Sequence, residues 1–162
     1  MSRLHFLLGA AAAALAACGP GIAPRPEDAS RIQFRALDAV NTLRSARGLV
    51  PLELNSQLIA AAATHSRDMA RQQRPWAFGS DGSSPIERVQ RSGYPGRFRG
   101  MVISETFEDE LETINAWMID PDDRRILLDS EARDMGIAGF REPNGKLWWT
   151  LITGARSPAP FA

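Results

Sequence analysis

The sequence predicts a single α+β domain in which a sheet lies between layers of helices. Apolar residues recur at helical spacing in four segments and alternate as in strands in three others, and 162 residues suit one core. In the last strand candidate, Leu147, Trp149 and Leu151 point one way while Trp148 and Ile152 point the other. Because both faces of this strand are apolar, helices should cover both of them.

Four helices are predicted from apolar spacing and from the residues that start and stop helices. They cover residues 28–47, the segment from 56 to just before Pro75, residues 84–92 and residues 108–119. Gly48 follows the first helix, and Asn55 is the expected N-cap of the second. Ser84 and Glu87 form a capping box at the start of the third helix. Pro121 is expected to lie beyond the end of the fourth.

Three strands complete the predicted domain. They cover residues 100–106, 135–141 and 146–153. The segment Glu142-Pro143-Asn144-Gly145 between the last two is a turn signal, so these two strands should form a hairpin.

Composition excludes several classes of function. The net charge is zero, and 18 of the 19 basic residues are arginine, Lys146 being the exception. No lysine-rich run marks a nucleic-acid surface, so no nucleic-acid partner is expected. One cysteine and two histidines exclude a disulfide framework and a Cys/His zinc finger.

The N-terminus predicts export and anchoring. Residues 1–17 form a signal peptide, whose apolar stretch is about half the ~20 residues that a membrane-spanning helix needs. Leu15-Ala16-Ala17-Cys18 resembles a bacterial lipobox, which makes Cys18 the lipid-modified first residue of the mature protein. The alternative is an ordinary secretory signal followed by an incidental thiol. Gly19, rather than an aspartate, resembles the pattern of lipoproteins sent to the outer membrane.

Glycine and proline residues, together with the periodic spacing of apolar residues, predict how the chain after the signal peptide divides into tether, domain and tail. Residues 18–26 are rich in glycine and proline and should be a tether. The folded domain is expected over residues 27–156, with a tail at residues 157–162.

Short patterns along this domain occur in the order found in one family. In chain order they are Asn41 with Arg44, Gly48-Leu49 with Pro51-Leu52, His65-Ser66 with Asp68-Met69-Ala70, Gly79 to Pro85 with Arg88 and Gly93-Tyr94, Trp117-Met118 with Pro121, Arg124 and Ile126-Leu127, and Trp149-Thr150 with Gly154. The ordered set, over about residues 30–154, resembles the bacterial branch of the CAP superfamily, which comprises cysteine-rich secretory proteins, antigen 5 and pathogenesis-related proteins.

That resemblance implies a three-layer α-β-α sandwich with a mostly antiparallel central sheet, secretion, and a cleft in which two histidines and acidic residues hold a divalent cation. In this chain Ala77 and Asp123 occupy the two positions where the resemblance implies histidines. Glu105 is the one residue that matches an acidic position of the implied cleft. Without imidazole ligands, zinc binding of the family type is not expected. The carboxylates leave room only for a weak calcium or magnesium site, and no other cofactor is expected.

His65 has two interpretations. It shares the apolar stripe of the second helix with Leu58 and Met69, which favours a packed histidine with a local hydrogen bond. The other interpretation places it in the cleft. A catalytic dyad with Ser66 is excluded, because adjacent helical residues point about 100 degrees apart.

Glu105 and Asp123 are the strongest functional candidates, since the resemblance implies that their positions converge on one cleft. Two facing carboxylates serve as an acid and base pair for glycoside hydrolysis or as ligands for a hard cation. The alternative is that both are solvated or paired with arginines, such as the adjacent Arg124 and Arg125.

The sequence therefore predicts a non-enzymatic lipoprotein on the periplasmic side of the outer membrane, anchored through Cys18. Its CAP-like domain is expected to bind an envelope ligand or protein, and no catalytic or metal-binding residue is assigned. The alternative is a cell-wall or carbohydrate hydrolase that uses Glu105 and Asp123.

Overall fold

The computed structural model describes residues 26–106 and 108–156. Predictions about the signal peptide, Cys18, most of the tether and the C-terminal tail lie outside these residues. The elements are α1 (Pro26–Ser45), β1 (Glu53–Leu54), α2 (Ser56–Gln72), α3 (Pro85–Arg91), β2 (Arg97–Thr106), α4 (Glu110–Ile119), α5 (Pro121–Leu127), β3 (Asp134–Arg141) and β4 (Leu147–Ala155). None of the described helices has the length and apolar character that crossing a membrane requires.

The four predicted helices are confirmed, together with the caps that predicted them. Asn55 Oδ1 accepts the Leu58 N–H at 3.0 Å, and the reciprocal capping box of Ser84 and Glu87 starts α3. Gly48 follows α1 with φ of 67°, the left-handed conformation that glycine adopts most easily.

Helix α5 is not among the predicted helices, because Pro121 in the sequence indicates only the end of α4. Proline is also well suited to the first position of a helix, and Pro121 begins α5. The Asp120 side chain caps this helix by accepting the backbone N–H groups of Asp122 and Asp123. One Asp-Pro pair therefore separates two consecutive helices.

The sheet has the strand order β1-β3-β4-β2. Strands β3 and β4 form the predicted antiparallel hairpin, and Gly145 in its turn has φ of 92°. Strand β2 runs antiparallel to β4 along its other side and begins at Arg97, earlier than predicted. The two-residue β1 pairs in parallel with β3 and is too short to produce a sequence pattern. The sheet is thus mostly antiparallel, as expected.

Helices cover both faces of the sheet, which confirms the three-layer α-β-α sandwich. On one face, Trp117 of α4 and Leu127 of α5 pack with Trp149 and Leu151 of β4. On the other face, residues of α2 and α3 pack against Ile152, and Met69 packs with Trp148. Trp148 and Trp149 are 0% and 2% exposed, so both belong to the core.

Helix α2 approaches the sheet most closely at Gly136. A Cβ atom on this residue would lie 2.2 Å from the Leu58 carbonyl carbon and 2.3 Å from the Ile59 nitrogen. Both atoms belong to the backbone, so they cannot move aside as a flexible side chain would. The glycine therefore sets how closely α2 packs on β3.

Candidate functional site

A network of polar side chains lies where the loop between α2 and α3 returns to α2. Asp68 accepts hydrogen bonds from the Ser80 N–H at 2.7 Å, from Ser80 Oγ at 2.6 Å and from Arg71 at 2.7 Å. Burial works to raise the pKa of Asp68, but the bonds from Ser80 and Arg71 outweigh it and hold the pKa at about 2. Asp68 therefore fastens the loop to α2 as a carboxylate.

Arg88 of α3 holds the backbone of Ala77, one of the two positions where the family resemblance implies a histidine. Arg88 is 6% exposed, and its guanidinium donates to the Ala77 carbonyl at 3.1 Å and to the Ser83 carbonyl at 3.4 Å. The other terminal nitrogen lies 3.9 Å from the sulfur of Met101. A buried cation therefore lies directly behind Ala77.

His65 is completely buried beneath the same loop. Within the described chain, neither ring nitrogen has a partner with full hydrogen-bond geometry, and the backbone of Trp76 is the polar group that approaches the ring. The pKa of His65 is lowered to about 4, mainly by burial and secondly by the positive charge of Arg88. The Trp76 backbone beside the ring and the Asp68 carboxylate oppose this shift. His65 is therefore a neutral, packed side chain at neutral pH.

Glu105 lies near the end of β2, opposite Trp148 in the β2–β4 register. Its Oε1 contacts Nζ of Lys146 at 2.6 Å, and the two side chains are 32% and 20% exposed. The same ammonium group lies 5.0 Å from the centre of the Trp148 ring. Lys146, the only lysine in the sequence, thus neutralises Glu105, the one cleft acid that the family resemblance implies.

Asp123 lies in the first turn of α5, and its backbone N–H is held by Asp120. Partial burial raises the pKa of Asp123, and the neighbouring carboxylates of Asp120 and Asp122 raise it further. The residues that perturb Asp123 are thus its own helix neighbours rather than Glu105.

The structure brings two of the four candidate positions together. The Arg88 guanidinium donates to the Ala77 carbonyl, and its charge lowers the pKa of His65, whereas Glu105 pairs with Lys146. Among the described residues, Asp123 forms no ion pair with Lys146 and no hydrogen bond with Glu105. In residues 26–106 and 108–156, no group of three or more His, Cys, Asp or Glu side chains is arranged to hold a metal ion.

Two aromatic side chains flank Ala77 on the surface of the loop. Trp76 and Phe78 are 37% and 46% exposed, and their ring centroids lie 5.7 Å apart. The guanidinium of Arg74 lies 3.6 Å above the Trp76 ring, which fixes the ring by a cation–π contact. Exposed, ordered aromatic rings of this kind are enriched in binding surfaces.

Sequence reasoning missed two features of functional interest. The partnership of Glu105 and Lys146 joins residues 41 positions apart and depends on the register of β2 against β4. The burial of Glu110, which is 2% exposed at the start of α4, gave no sequence signal because acids are ordinary at helix N-termini.

The chain matches a family model and several solved structures. The model of the Cysteine-rich secretory protein family (CAP) matches residues 37–152. An outer surface protein from Borrelia burgdorferi is 14% identical with a TM-score of 0.74, and the alignment covers 85% of this chain and 100% of that one. No curated protein matches the chain.

Two further similar structures come from larger bacterial proteins. An extracellular SCP-domain protein from Bacillus anthracis is 19% identical with a TM-score of 0.73, and the alignment covers 85% of this chain and 45% of that one. A cysteine-rich secretory protein from Staphylococcus aureus is 20% identical with a TM-score of 0.61, and the alignment covers 82% of this chain and 41% of that one. The chain thus spans less than half of these two proteins.

These likenesses show the fold, and the family model covers most of the described domain. The fold, the ordered sequence patterns and the family match agree, and this chain belongs to the Cysteine-rich secretory protein (CAP) family.

Proposed function

We propose that this chain is an exported, lipid-anchored binding protein whose CAP domain acts without a metal and without catalysis. The observation that carries the proposal is the 2.6 Å ion pair between Glu105 and Lys146. A carboxylate that already holds an ammonium group is a poor ligand for a second cation, because the two cations repel each other. The similar outer surface protein from B. burgdorferi and the extracellular protein from B. anthracis support export.

The loop that carries Ala77 supports a binding role. Arg88 supplies a cation behind Ala77, and Trp76 and Phe78 present their rings to solvent on either side. A nearby buried cation disfavours a metal ion, whereas exposed aromatic rings favour an apolar or ring-shaped contact. We expect a ligand or partner to dock on this loop.

Metal titration tests the proposal. Calorimetry of the purified chain with zinc should show binding no stronger than that of a generic acidic surface, and calcium or magnesium should bind weakly at most. In Lys146→Met, the removal of the ammonium should strengthen calcium binding, and Glu105→Gln should abolish that gain. Submicromolar zinc binding by the parent chain that disappears in Glu105→Gln would contradict the proposal.

Fractionation of cells tests the anchor. The parent should fractionate with outer membranes and carry the added mass of lipid on Cys18, whereas Cys18→Ser should be unprocessed or released. Gly19→Asp is the matched control for destination, because it leaves the cysteine intact and should retain the protein at the inner membrane. Equal mass and fractionation of the parent and Cys18→Ser would contradict lipidation.

A second candidate function is hydrolysis of cell-wall or other carbohydrate, favoured by the raised pKa of Asp123. A carboxyl group with a raised pKa suits a general acid, which must hold a proton when the substrate arrives. Release of soluble products from peptidoglycan fragments measures this activity. Activity that is lost in both Asp123→Asn and Glu105→Gln, and retained in Asp122→Asn, would support the hydrolase and overturn the non-enzymatic proposal.

A further inference from the structure

The loop between α2 and α3 carries an exposed patch that consists of Arg74, Trp76 and Phe78. Three cavities of about 400, 330 and 260 Å³ open on the described domain, and none of them is lined by these residues. Sites for small molecules are concave and enclose most of their ligand. The patch therefore suits contact with an extended surface better than contact with a small molecule.

The backbone of this loop is held in place, which keeps both rings at the surface. The Ala77 carbonyl accepts a hydrogen bond from the buried Arg88 guanidinium at 3.1 Å. The Phe78 carbonyl accepts one from Nε2 of Gln72, at the end of α2, at 3.3 Å. The loop thus presents two aromatic side chains to water, and contact with an apolar phase would remove their exposed area from it.

Arg74 adds a cation that has no carboxylate partner. Its guanidinium lies on the Trp76 ring, and within the described part of the chain it forms no ion pair with an acid. Stacking on a ring face leaves the N–H donors in the plane of the guanidinium available. Such donors match the oxygens of a phosphate group, so the patch combines apolar rings with a group that binds phosphate.

The first turn of α1 and the patch adjoin the same end of the sheet. Asp28 of α1 lines a cavity together with Arg141 at the end of β3. Glu142, the next residue, accepts a hydrogen bond from the side chain of Gln73, which directly precedes Arg74. The β3–β4 turn therefore has the start of α1 on one side and the patch on the other.

The chain between Cys18 and α1 is short. Residues 18–25, the predicted tether, span at most about 26–29 Å when fully extended. With lipid on Cys18, the bilayer surface lies within this distance of Pro26, the first residue of α1. The end of the domain that carries the patch is then the end held closest to the bilayer.

We propose that this patch docks on the phospholipid surface to which the chain is anchored, with both rings at the level of the headgroups and Arg74 on a lipid phosphate. Aromatic side chains are enriched at this depth, where apolar and polar surroundings meet. The anchor holds the patch at high local concentration, so a small patch suffices for contact. This inference rests on the proposed lipidation of Cys18, and it identifies the partner of the Ala77 loop.

Tryptophan fluorescence tests the docking, because Trp76 is exposed whereas Trp117, Trp148 and Trp149 are buried. The lipidated full chain is bound to vesicles of phosphatidylcholine and phosphatidylglycerol whose acyl chains are brominated. Bromine quenches only those rings that approach the lipid. We expect quenching in the parent and none in Trp76→Leu.

Two variants keep Trp76 as the reporter. Phe78→Ser removes the second ring and Arg74→Gln removes the cation, and each should reduce the quenching by about half or more. Ile119→Ser is the matched control, because this side chain is 79% exposed and lies at the end of α4 away from the hairpin. It should leave the quenching unchanged. All of these residues are exposed, so the variants should unfold at the temperature of the parent.

Mass and flotation with vesicles report the anchor independently of the quenching. A chain that carries lipid on Cys18 and floats, but whose fluorescence is not quenched, would overturn the docking and leave the anchor intact. A mass without lipid would overturn the proposed anchor and the docking with it. Equal quenching in the parent, Phe78→Ser and Arg74→Gln would also overturn the docking. A fluorescence change with soluble peptidoglycan fragments, and none with brominated lipid, would assign the patch to a glycan instead.

Discussion

Acid should destabilise this protein through the protonation of His65. The folded state holds the pKa of this side chain at about 4, because the ring is buried beside the Arg88 guanidinium. In the unfolded chain the pKa returns to about 6.5. Between these two values the unfolded chain binds a proton that the folded state excludes, so stability falls as the pH falls from 6.5 to 4. Below pH 4 both states are protonated, and this loss stops growing.

The size of the effect follows from the same two values. At about 1.36 kcal/mol for each pH unit, the gap between 6.5 and about 4 corresponds to a loss of about 3 kcal/mol. This is a large share of the stability of an ordinary domain, which is about 5–15 kcal/mol.

Urea unfolding at a series of pH values from 4 to 8 measures this loss. His65→Gln is the informative variant, because the described domain contains no other histidine. Whatever its stability at pH 8, the variant should show a much smaller decrease between pH 6.5 and pH 4. Asp68, whose charge acts on His65, has a pKa of about 2 and stays ionised between pH 4 and 8, so the difference between the two curves isolates His65. Parallel curves would refute the assignment of His65 as a buried neutral side chain.

Four further substitutions should affect stability in ways that thermal or urea unfolding can measure. Trp149→Ala or Trp117→Ala should each cost roughly 3–5 kcal/mol, since both rings are buried in the same core; a neutral result would place that ring on the surface. Gly136→Ala should cost at least about 1–3 kcal/mol, because the new Cβ meets the backbone of α2; an unchanged midpoint would mean that α2 can shift. Tyr94→Phe removes the 2.9 Å hydrogen bond to Asp134 and should cost about 1.5–3 kcal/mol; a neutral result would show that the remaining partners of Asp134 suffice.

Local signals in the sequence were sufficient for the main helices and for the hairpin. Asn55 and the Ser84–Glu87 box mark helix starts through contacts between residues three apart, so no distant part of the chain is needed to recognise them. The alternation of β4 predicted a strand that is covered on both faces, and every residue of β4 is buried. Where such signals were ambiguous, as at Pro121, the prediction failed.

The family resemblance predicted the fold of the domain, but it did not predict which groups surround the site residues. The patterns from Asn41 to Gly154 indicated the CAP fold, which the family match over residues 37–152 confirms. They identified Ala77, Glu105 and Asp123 as candidate positions without indicating what surrounds each one. The roles proposed for these residues stay predictions that the titrations and assays above will test.

The sequence by itself determined the helices, the hairpin, the two-sided core and the family, because these depend on spacing and order along the chain. Only the tertiary structure decided which charges meet. Lys146 reaches Glu105 through the register of two strands, and Arg35 reaches Glu110 through the packing of α1 on α4. Ion pairs and cavities depend on distances between segments far apart in sequence. No local pattern encodes those distances, so the partners of Glu105 and of Glu110 were visible only in the folded chain.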